Sequence, residues 1–350
     1  MKSIWLFRSN LRILEEYHKI HCKTIEEFEK ACHDFWLLQL IEFLKQDHFD
    51  EAIVFRLKPN KDYEGYQSFS FKINDKTKFF YQIFVDKFTD IFSASNNFVK
   101  YTPQISFFRG GFPEYDKLII KHGDKLGLKL YCGTGQRVYP KYGGKYDFIL
   151  LEDEKDDSRL YNCINFYKTT SPNHFYMNER EPKYDICFVA NFTQYRYKGQ
   201  EFFIKAVSKS PYLKTLDILM IGNKQEMGEK LCKKYKVTNI KFLGYKSRNF
   251  INQIINKSKF GIVCSNRTDG CPRVVTEILS CGTPLFIRNT TRLLSYYKRS
   301  GVIEFNESNI ESQIRHGMEN WESYKKAAAN NLDRISLKTI CKKNINLWKN

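Results

Sequence analysis

The sequence has no long hydrophobic run. Nowhere do 18 or more apolar residues follow one another, which is about the length that a helix needs to cross a bilayer. Near the start, a run of only four apolar residues, Ile4 to Phe7, is followed by charged residues. That run is too short for the core of a secretory signal peptide. The sequence therefore predicts neither a membrane-spanning helix nor a signal peptide, and we expect a cytoplasmic protein.

Patterns that mark disulfide, metal and dinucleotide sites are also missing. None of the ten cysteines forms a Cys-x-x-Cys pair, and Cys187 and Cys264 lie in strand-like runs, as expected for reduced thiols. The glycines of residues 133–137 do not form the Gly-x-Gly-x-x-Gly fingerprint of a dinucleotide-binding turn. A group of histidines and cysteines near the amino terminus matches no standard zinc spacing: His18, His21, Cys22, Cys32 and His33.

Length and composition indicate a folded protein of ordinary type. The 350 residues suffice for two domains, and 42% hydrophobic with 16% aromatic residues argues against disorder. The net charge of +18 favours anionic partners, such as nucleotide sugars, an acidic membrane face or nucleic acid. Because lysine, asparagine, isoleucine, phenylalanine and tyrosine are abundant together, part of this charge reflects a general compositional bias.

Strand-like and helix-like stretches alternate in two series, which is typical of parallel α/β domains. We predict an amino-terminal domain over residues 1–170 and a carboxy-terminal domain over 171–350, joined by a proline-bearing linker at 171–183. In the first domain, Thr24 and Glu27 form a capping box that predicts one long amphipathic helix to about Phe43. Arg109 follows a strand and precedes glycines, at an edge where parallel sheets bind ligands.

The most informative stretch is residues 259–287, which reads as strand, loop, helix and strand. Pro272 suits the first helical position, and Gly270 allows a turn before it. Backbone N–H groups and the positive end of the helix dipole favour a phosphate or sugar diphosphate in this loop. Asp269 and Glu277 frame the helix start and can accept hydrogen bonds from hydroxyl groups on either side of such a ligand. The pattern predicts a nucleotide-sugar site.

This stretch resembles the donor-binding signature of retaining glycosyltransferases of family four, which have the GT-B fold. That family has two glutamates separated by seven residues; here Asp269 is followed after seven residues by Glu277 and then by Gly282-Thr283-Pro284. The first acid is one methylene shorter than in the family. The resemblance is concentrated in residues 184–305.

The resemblance implies roles for individual residues. Asp269 would hold hydroxyls of the donor sugar and Glu277 the ribose. A basic pair before the Lys-Gly dipeptide, here Arg196 and Lys198, would neutralise the donor diphosphate, and Tyr245 would lie beside the base. Backbone N–H groups of the loop and helix start would contact the donor: Gly270, Cys271, Pro272, Arg273 and Val274.

We therefore expect a GT-B protein with two doubly wound, Rossmann-like parallel-sheet domains facing each other across a cleft, and a last helix that crosses back to the first domain. It would transfer a sugar from a UDP- or GDP-linked donor to a hydroxyl of a glycan or other acceptor, with retention of the anomeric configuration. Arg109 would meet a phosphate or an acceptor hydroxyl. Since no Asp-x-Asp triplet occurs, the scheme needs no metal and no cofactor besides the co-substrate. A peripheral membrane contact is left open.

Three alternatives fit the same sequence. A non-transferase nucleotide-sugar enzyme, such as an epimerase, would use the same diphosphate pocket without transferring a sugar. A basic nucleic-acid-binding protein would bind any polynucleotide with strong salt dependence, and would show no preference for a sugar nucleotide. An inactive GT-B subunit would bind a partner without turnover, and the shortened acid at Asp269 is the feature that favours it.

Overall fold

The computed structural model describes residues 2–8, 22–32, 34–58, 66–92, 101–110, 112–132, 145–152, 162–178, 180–192, 195–266, 272–291, 294–299 and 301–349. The chain divides into two units, each built on its own mainly parallel sheet. The first unit comprises residues 1–151, 155–166 and 341–350, and the second comprises 152–154 and 167–340. No helix among the described residues is long and apolar enough to span a membrane.

The first unit contains an eight-stranded sheet in the order β3-β4-β2-β1-β5-β6-β7-β8. All neighbouring strands are parallel except β3 and β4, which form an antiparallel hairpin at one edge. The central strands are buried along most of their length because helices cover the sheet. The strands are β1 Ser3–Arg8, β2 Glu51–Leu57, β3 Tyr66–Ile73, β4 Lys76–Val85, β5 Ile105–Arg109, β6 Leu128–Cys132, β7 Phe148–Leu151 and β8 Cys163–Asn165.

The helices of the first unit correct one sequence-based prediction. Instead of one helix from residue 25 to 43, the chain forms α1 Ile25–Ala31 and α2 Phe35–Lys45. The capping box is present, since Glu27 N donates to Thr24 Oγ1 at 3.2 Å. The break arises because Asp34 leaves the helical conformation and its side chain accepts from Trp36 N at 3.0 Å, which starts a second helix. The next helix is α3 Pro113–His122.

The second unit contains a six-stranded, fully parallel sheet in the order β11-β10-β9-β12-β13-β14. In chain order this is 3-2-1-4-5-6, the doubly wound arrangement. Buried apolar side chains on one face of the sheet pack with helix side chains to form a core cluster, including Ile186, Phe203, Ile218 and Phe260. The strands are β9 Tyr184–Val189, β10 Ile218–Ile221, β11 Ile240–Phe242, β12 Ser258–Val263, β13 Leu285–Arg288 and β14 Val302–Phe305.

Helices follow the strands of this second sheet. They are α4 Tyr195–Lys198, α5 Gln200–Lys209, α6 Gln225–Tyr235, α7 Arg248–Asn256, α8 Arg273–Ser280, α9 Ser295–Lys298, α10 Ile310–Glu319, α11 Trp321–Asn330, α12 Leu332–Ile335 and α13 Leu337–Lys349. The predicted linker at 171–183 belongs to this unit. The side chains of Asn252 and Asn256 on α7 hold it by hydrogen bonds to the backbone of Tyr176 and Asn178.

The last helix, α13, begins in the second unit and ends in the first. Its carboxy-terminal part is fixed to the first unit by Asn344, which donates to the buried side chain of Gln39 at 2.9 Å. Trp348 is 3% exposed and packs edge-on against Phe43 and Phe107. Burial of such a large aromatic side chain stabilises the helix against the sheet of the first unit.

Candidate functional site

A pocket of about 290 Å³ opens at the carboxyl edge of the second sheet. It is lined by the ends of β9, β10 and β12, including Ala190, Gly222 and Cys264. β9 is the first strand of the doubly wound order, and the chain direction across the sheet reverses between β9 and β12. Crevices of this kind at a topological switch point are where open α/β sheets bind their ligands. All the described residues that line the pocket belong to the second unit.

The helix α8 presents its amino terminus to this pocket, because Pro272, Arg273 and Val274 line it. The helix begins at Arg273, and Pro272 is its N-cap with an extended backbone, φ −66° and ψ 137°. The predicted position of Pro272 inside the first turn is therefore one residue off. No side chain within the described ranges caps the helix start. Since the first N–H groups of a helix have no partner within it, this terminus suits an anionic ligand.

Glu277 is one turn into α8 and its side chain also lines the pocket. Burial raises the pKa of its carboxyl above the ordinary value, and the nearby positive charges of Arg273 and Arg248 offset this effect only in part. A carboxylate that has lost its contacts with water is stabilised most by hydrogen-bond donors that contact it directly. This environment fits an acceptor of hydrogen bonds from ligand hydroxyl groups.

Lys198 reaches the pocket at the end of the short helix α4. The next residue, Gly199, has a φ of +76°, which places the chain in the left-handed region before α5 begins. A β-carbon at Gly199 would come 2.2 Å from the carbonyl oxygen of Cys264 at the end of β12. Only glycine permits this close approach, which fixes Lys198 at the strand ends. Asn266 N donates to Tyr197 O at 2.9 Å and joins the same two segments.

Replacing Gly199 by alanine is expected to destabilise the protein by about 3 kcal/mol, since a β-carbon there meets backbone and adopts a positive φ. The free energy of unfolding in urea measures this loss. Gly123→Ala is the matched control, because Gly123 has a φ of −61° and its added β-carbon would meet Ile119 Cγ2 at an ordinary 3.5 Å. Equal stability of the two variants would contradict the close packing at Gly199.

Cations predominate among the charged residues that line the pocket. Among the described residues that line it, four are basic (Lys198, Lys246, Arg248 and Arg273) and one, Glu277, is acidic. Such an excess of positive charge matches a diphosphate group. Lys246 and Arg248 were not predicted from the sequence. Lys246 directly follows Tyr245 in the turn after β11, which the resemblance had already indicated, and Arg248 begins α7.

The structure places Lys198, Tyr245, Pro272, Arg273, Val274 and Glu277 around one pocket. Tyr245 lies at its rim and is 78% exposed. Asp269, Gly270 and Cys271 lie outside the described residues. The backbone of Arg196 belongs to α4, but its side chain lies outside the described part of the chain.

Arg109 belongs to the first unit, so it does not join this pocket. It ends β5, where Nη1 donates to Cys132 Sγ at 3.2 Å and the guanidinium lies 5.0 Å from the centre of the Trp36 ring. The described cysteines are free thiols. Burial raises the pKa of Cys187 to about 12, and it also raises the pKa of Cys264 and Cys281. These thiols are therefore protonated and unsuited to nucleophilic attack.

Comparison with solved structures decides the fold. The chain aligns over its full length with sucrose-phosphate synthase from Thermosynechococcus elongatus, with a TM-score of 0.67, 11% identity and 98% coverage of that chain. A glycosyltransferase from Rickettsia africae gives a TM-score of 0.62 and 14% identity over 99% of this chain and 98% of its own. The chain has the GT-B fold. An Escherichia coli structure described as trehalose-6-phosphate bound with UDP-2-fluoro glucose gives a TM-score of 0.59 and 9% identity, covering 99% of both chains.

A family model agrees with the location of the pocket. Residues 171–334 match the model of the family described as glycosyl transferases group 1, and every residue that lines the pocket lies within this range. A search among curated proteins finds no match.

Proposed function

We propose that this GT-B protein is a retaining glycosyltransferase that transfers a sugar from a nucleotide diphosphate sugar to an acceptor hydroxyl. The observation that carries the proposal is the pocket at the switch point of the second sheet, where the described lining places four cations and the acid Glu277 beside a helix amino terminus. The family-model match to the same segment supports it.

In this proposal the donor binds entirely to the second unit. The diphosphate lies against the amino terminus of α8, and its charge is offset by Lys198 together with the other pocket cations. Glu277 accepts hydrogen bonds from the ribose, and Tyr245 lies beside the base. Asp269 holds hydroxyls of the transferred sugar, and Gly270 and Cys271 contribute backbone N–H groups. The acceptor binds to the first unit.

The chemical step breaks the bond between the anomeric carbon and the diphosphate oxygen. Negative charge then develops on the leaving diphosphate, and a fixed cation stabilises it more in the transition state than in the ground state. Lys198, with Arg196, has this role. In this scheme the positive charge of the pocket offsets the charge of the leaving diphosphate, and no metal ion is required. The new bond forms from the acceptor hydroxyl, whose proton is released, with retention at the anomeric carbon.

A thermal-shift screen tests donor recognition. UDP, GDP and their sugar conjugates are compared with single-stranded DNA at low and moderate salt. A ligand that binds only the folded state at a hundred times its Kd stabilises that state by about 2.7 kcal/mol, so one nucleotide diphosphate series is expected to raise Tm selectively. UDP conjugates are the first to try, since a similar structure was solved with UDP-2-fluoro glucose. A rise with DNA alone that fades with salt would contradict the proposal.

A further inference from the structure

Three neighbouring strands of the first sheet carry the same dipeptide, Phe-Arg, at the carboxyl end or one residue before it. The arginines are Arg8 on β1, Arg56 on β2 and Arg109 on β5, and the strand register places Arg8 opposite both of the others. Register partners on parallel strands project to the same face of a sheet, and neighbouring strands lie about 4.8 Å apart. Arg8, Arg56 and Arg109 therefore form an arginine cluster on one face at the carboxyl edge.

The phenylalanines that precede these arginines project to the opposite face and form part of the core. Phe7 stacks against Phe55 at 5.2 Å and against Phe108 at 4.9 Å. This stacking fixes the three strand ends relative to one another. Because the arginines follow at the next position of each strand, the same packing sets the spacing of their side chains.

Two members of the arginine cluster are buried, and the cluster lies near one acid, Asp34. Arg8 is 6% and Arg56 1% exposed, whereas Arg109 is partly exposed. Asp34, which starts α2, approaches Arg8 Nη1 at 2.5 Å. Burial acts to raise the pKa of Asp34, but Arg8, Arg56 and Arg109 together hold it below its ordinary value. Arg8 thus contacts the carboxylate, Arg56 and Arg109 add positive charge near it, and Asp34 remains ionised at neutral pH.

A purely structural role accounts poorly for this arrangement. Burying a charge is costly, and a buried ion pair is often no more stabilising than apolar side chains of similar volume. The Nε group of Arg8 has no hydrogen-bond partner within the described part of the chain. A buried donor without a partner among the described residues is a feature expected where a ligand supplies the acceptor.

We propose that the arginine cluster binds the phosphoryl group of a phosphorylated acceptor. This inference rests on the proposed function, in which the first unit holds the acceptor. The three guanidinium groups and Asp34 together carry a charge of +2, which complements the dianion of a phosphate monoester. Planar guanidinium groups bind phosphate oxygens in pairs, which an ammonium group cannot do. Arg109 is the member that solvent reaches, and it contacts the acceptor phosphate directly.

Isothermal titration at constant ionic strength tests the proposal with three soluble probes: inorganic phosphate, glucose 6-phosphate and glucose. Wild-type protein is expected to bind glucose 6-phosphate and to ignore glucose. Arg109→Gln should raise the Kd for glucose 6-phosphate about tenfold or more, and Arg109→Lys should raise it less, because it keeps the charge but loses the paired geometry. Lys121→Gln, which removes an exposed charge of the same unit, is the matched control.

A second experiment with lipid vesicles distinguishes a lipid phosphate from a sugar phosphate as the source of the phosphoryl group. Co-sedimentation with phosphatidylcholine vesicles containing phosphatidic acid, abolished by Arg109→Gln but not by Lys121→Gln, would identify a lipid phosphate instead of a sugar phosphate. Absence of both kinds of binding, or equal binding by Arg109→Gln and Lys121→Gln, would overturn the proposal. UDP binding is measured in the same preparations. If UDP fails to bind while glucose 6-phosphate binding depends on Arg109, the donor proposal fails and the phosphoryl site stands.

Discussion

Replacing Lys198 by alanine is expected to lower kcat by about a hundredfold, the size of effect seen when one group that stabilises developing charge is removed. Lys198 lines the pocket at the strand ends, where Gly199 fixes its backbone. In the proposed mechanism, its contact with the diphosphate strengthens as the leaving group gains charge. The donor Kd should therefore rise less than kcat falls.

The control is Lys205→Ala, which removes an exposed lysine of the neighbouring helix α5. Steady-state release of nucleoside diphosphate and the urea unfolding curve are measured for both variants. If kcat of Lys198→Ala remains at the level of Lys205→Ala, Lys198 does not offset the leaving-group charge. The diphosphate role then falls to Arg196 or to another cation.

Replacing Glu277 by glutamine is expected to have two opposite effects. Donor affinity should fall about tenfold, equivalent to about 1.4 kcal/mol, because a charged acceptor of ribose hydrogen bonds becomes neutral. The ligand-free protein should become more stable at neutral pH, because an ionised carboxylate is no longer held in a desolvated site. Donor titration and Tm measure the two effects, with the exposed Glu307→Gln as control.

The carboxyl group of Glu277 also makes the stability of the folded protein depend on pH. Its pKa in the folded state lies above the ordinary value of 4.5, mainly because of burial. The folded state therefore binds this proton more tightly than the unfolded chain does. The stability contributed by Glu277 is full below the unfolded pKa and is lost as pH rises through the folded pKa. The stability advantage of Glu277→Gln should accordingly shrink as pH is lowered through this range.

Donor affinity should fall as pH is lowered, whereas the stability contributed by Glu277 rises. Because the carboxylate is the form that accepts ribose hydrogen bonds, wild-type affinity should fall as pH drops through the raised pKa. Affinity of Glu277→Gln should lack this component. Parallel pH profiles of the two proteins would mean that Glu277 does not contact the donor.

The strands were largely predictable because most are runs rich in apolar residues that end at, or are followed by, glycine or a charged residue. The three-residue strand β8, Cys163–Asn165, was missed because it is too short to show periodicity. The helical spacing of apolar residues from Ile25 to Phe43 predicts one helix, whereas the structure has two. The spacing of apolar residues does not reveal the N-cap at Asp34.

The pocket was only partly predictable, and the reasons differ by residue. Glu277 and Arg273 share one helix start, so local spacing sufficed to place them near each other. Lys198 comes from a separate segment, and its position depends on the contact between Gly199 and Cys264. Arg8 and Arg56 were overlooked, although each follows a phenylalanine at or next to the end of a strand, as Arg109 does. Recognising them required the strand order, which brings three distant segments into register.

The proposal that the protein is a retaining transferase is tested most directly by following the donor and the product together. The UDP- or GDP-sugar that gives the largest Tm rise is incubated with a panel of hexoses and hexose monophosphates, and proton NMR monitors anomeric signals over time. We predict acceptor-dependent release of nucleoside diphosphate and a new glycosidic linkage with the anomeric configuration of the donor. Conversion of the donor to an epimer without any acceptor, or a product of inverted configuration, would contradict the account.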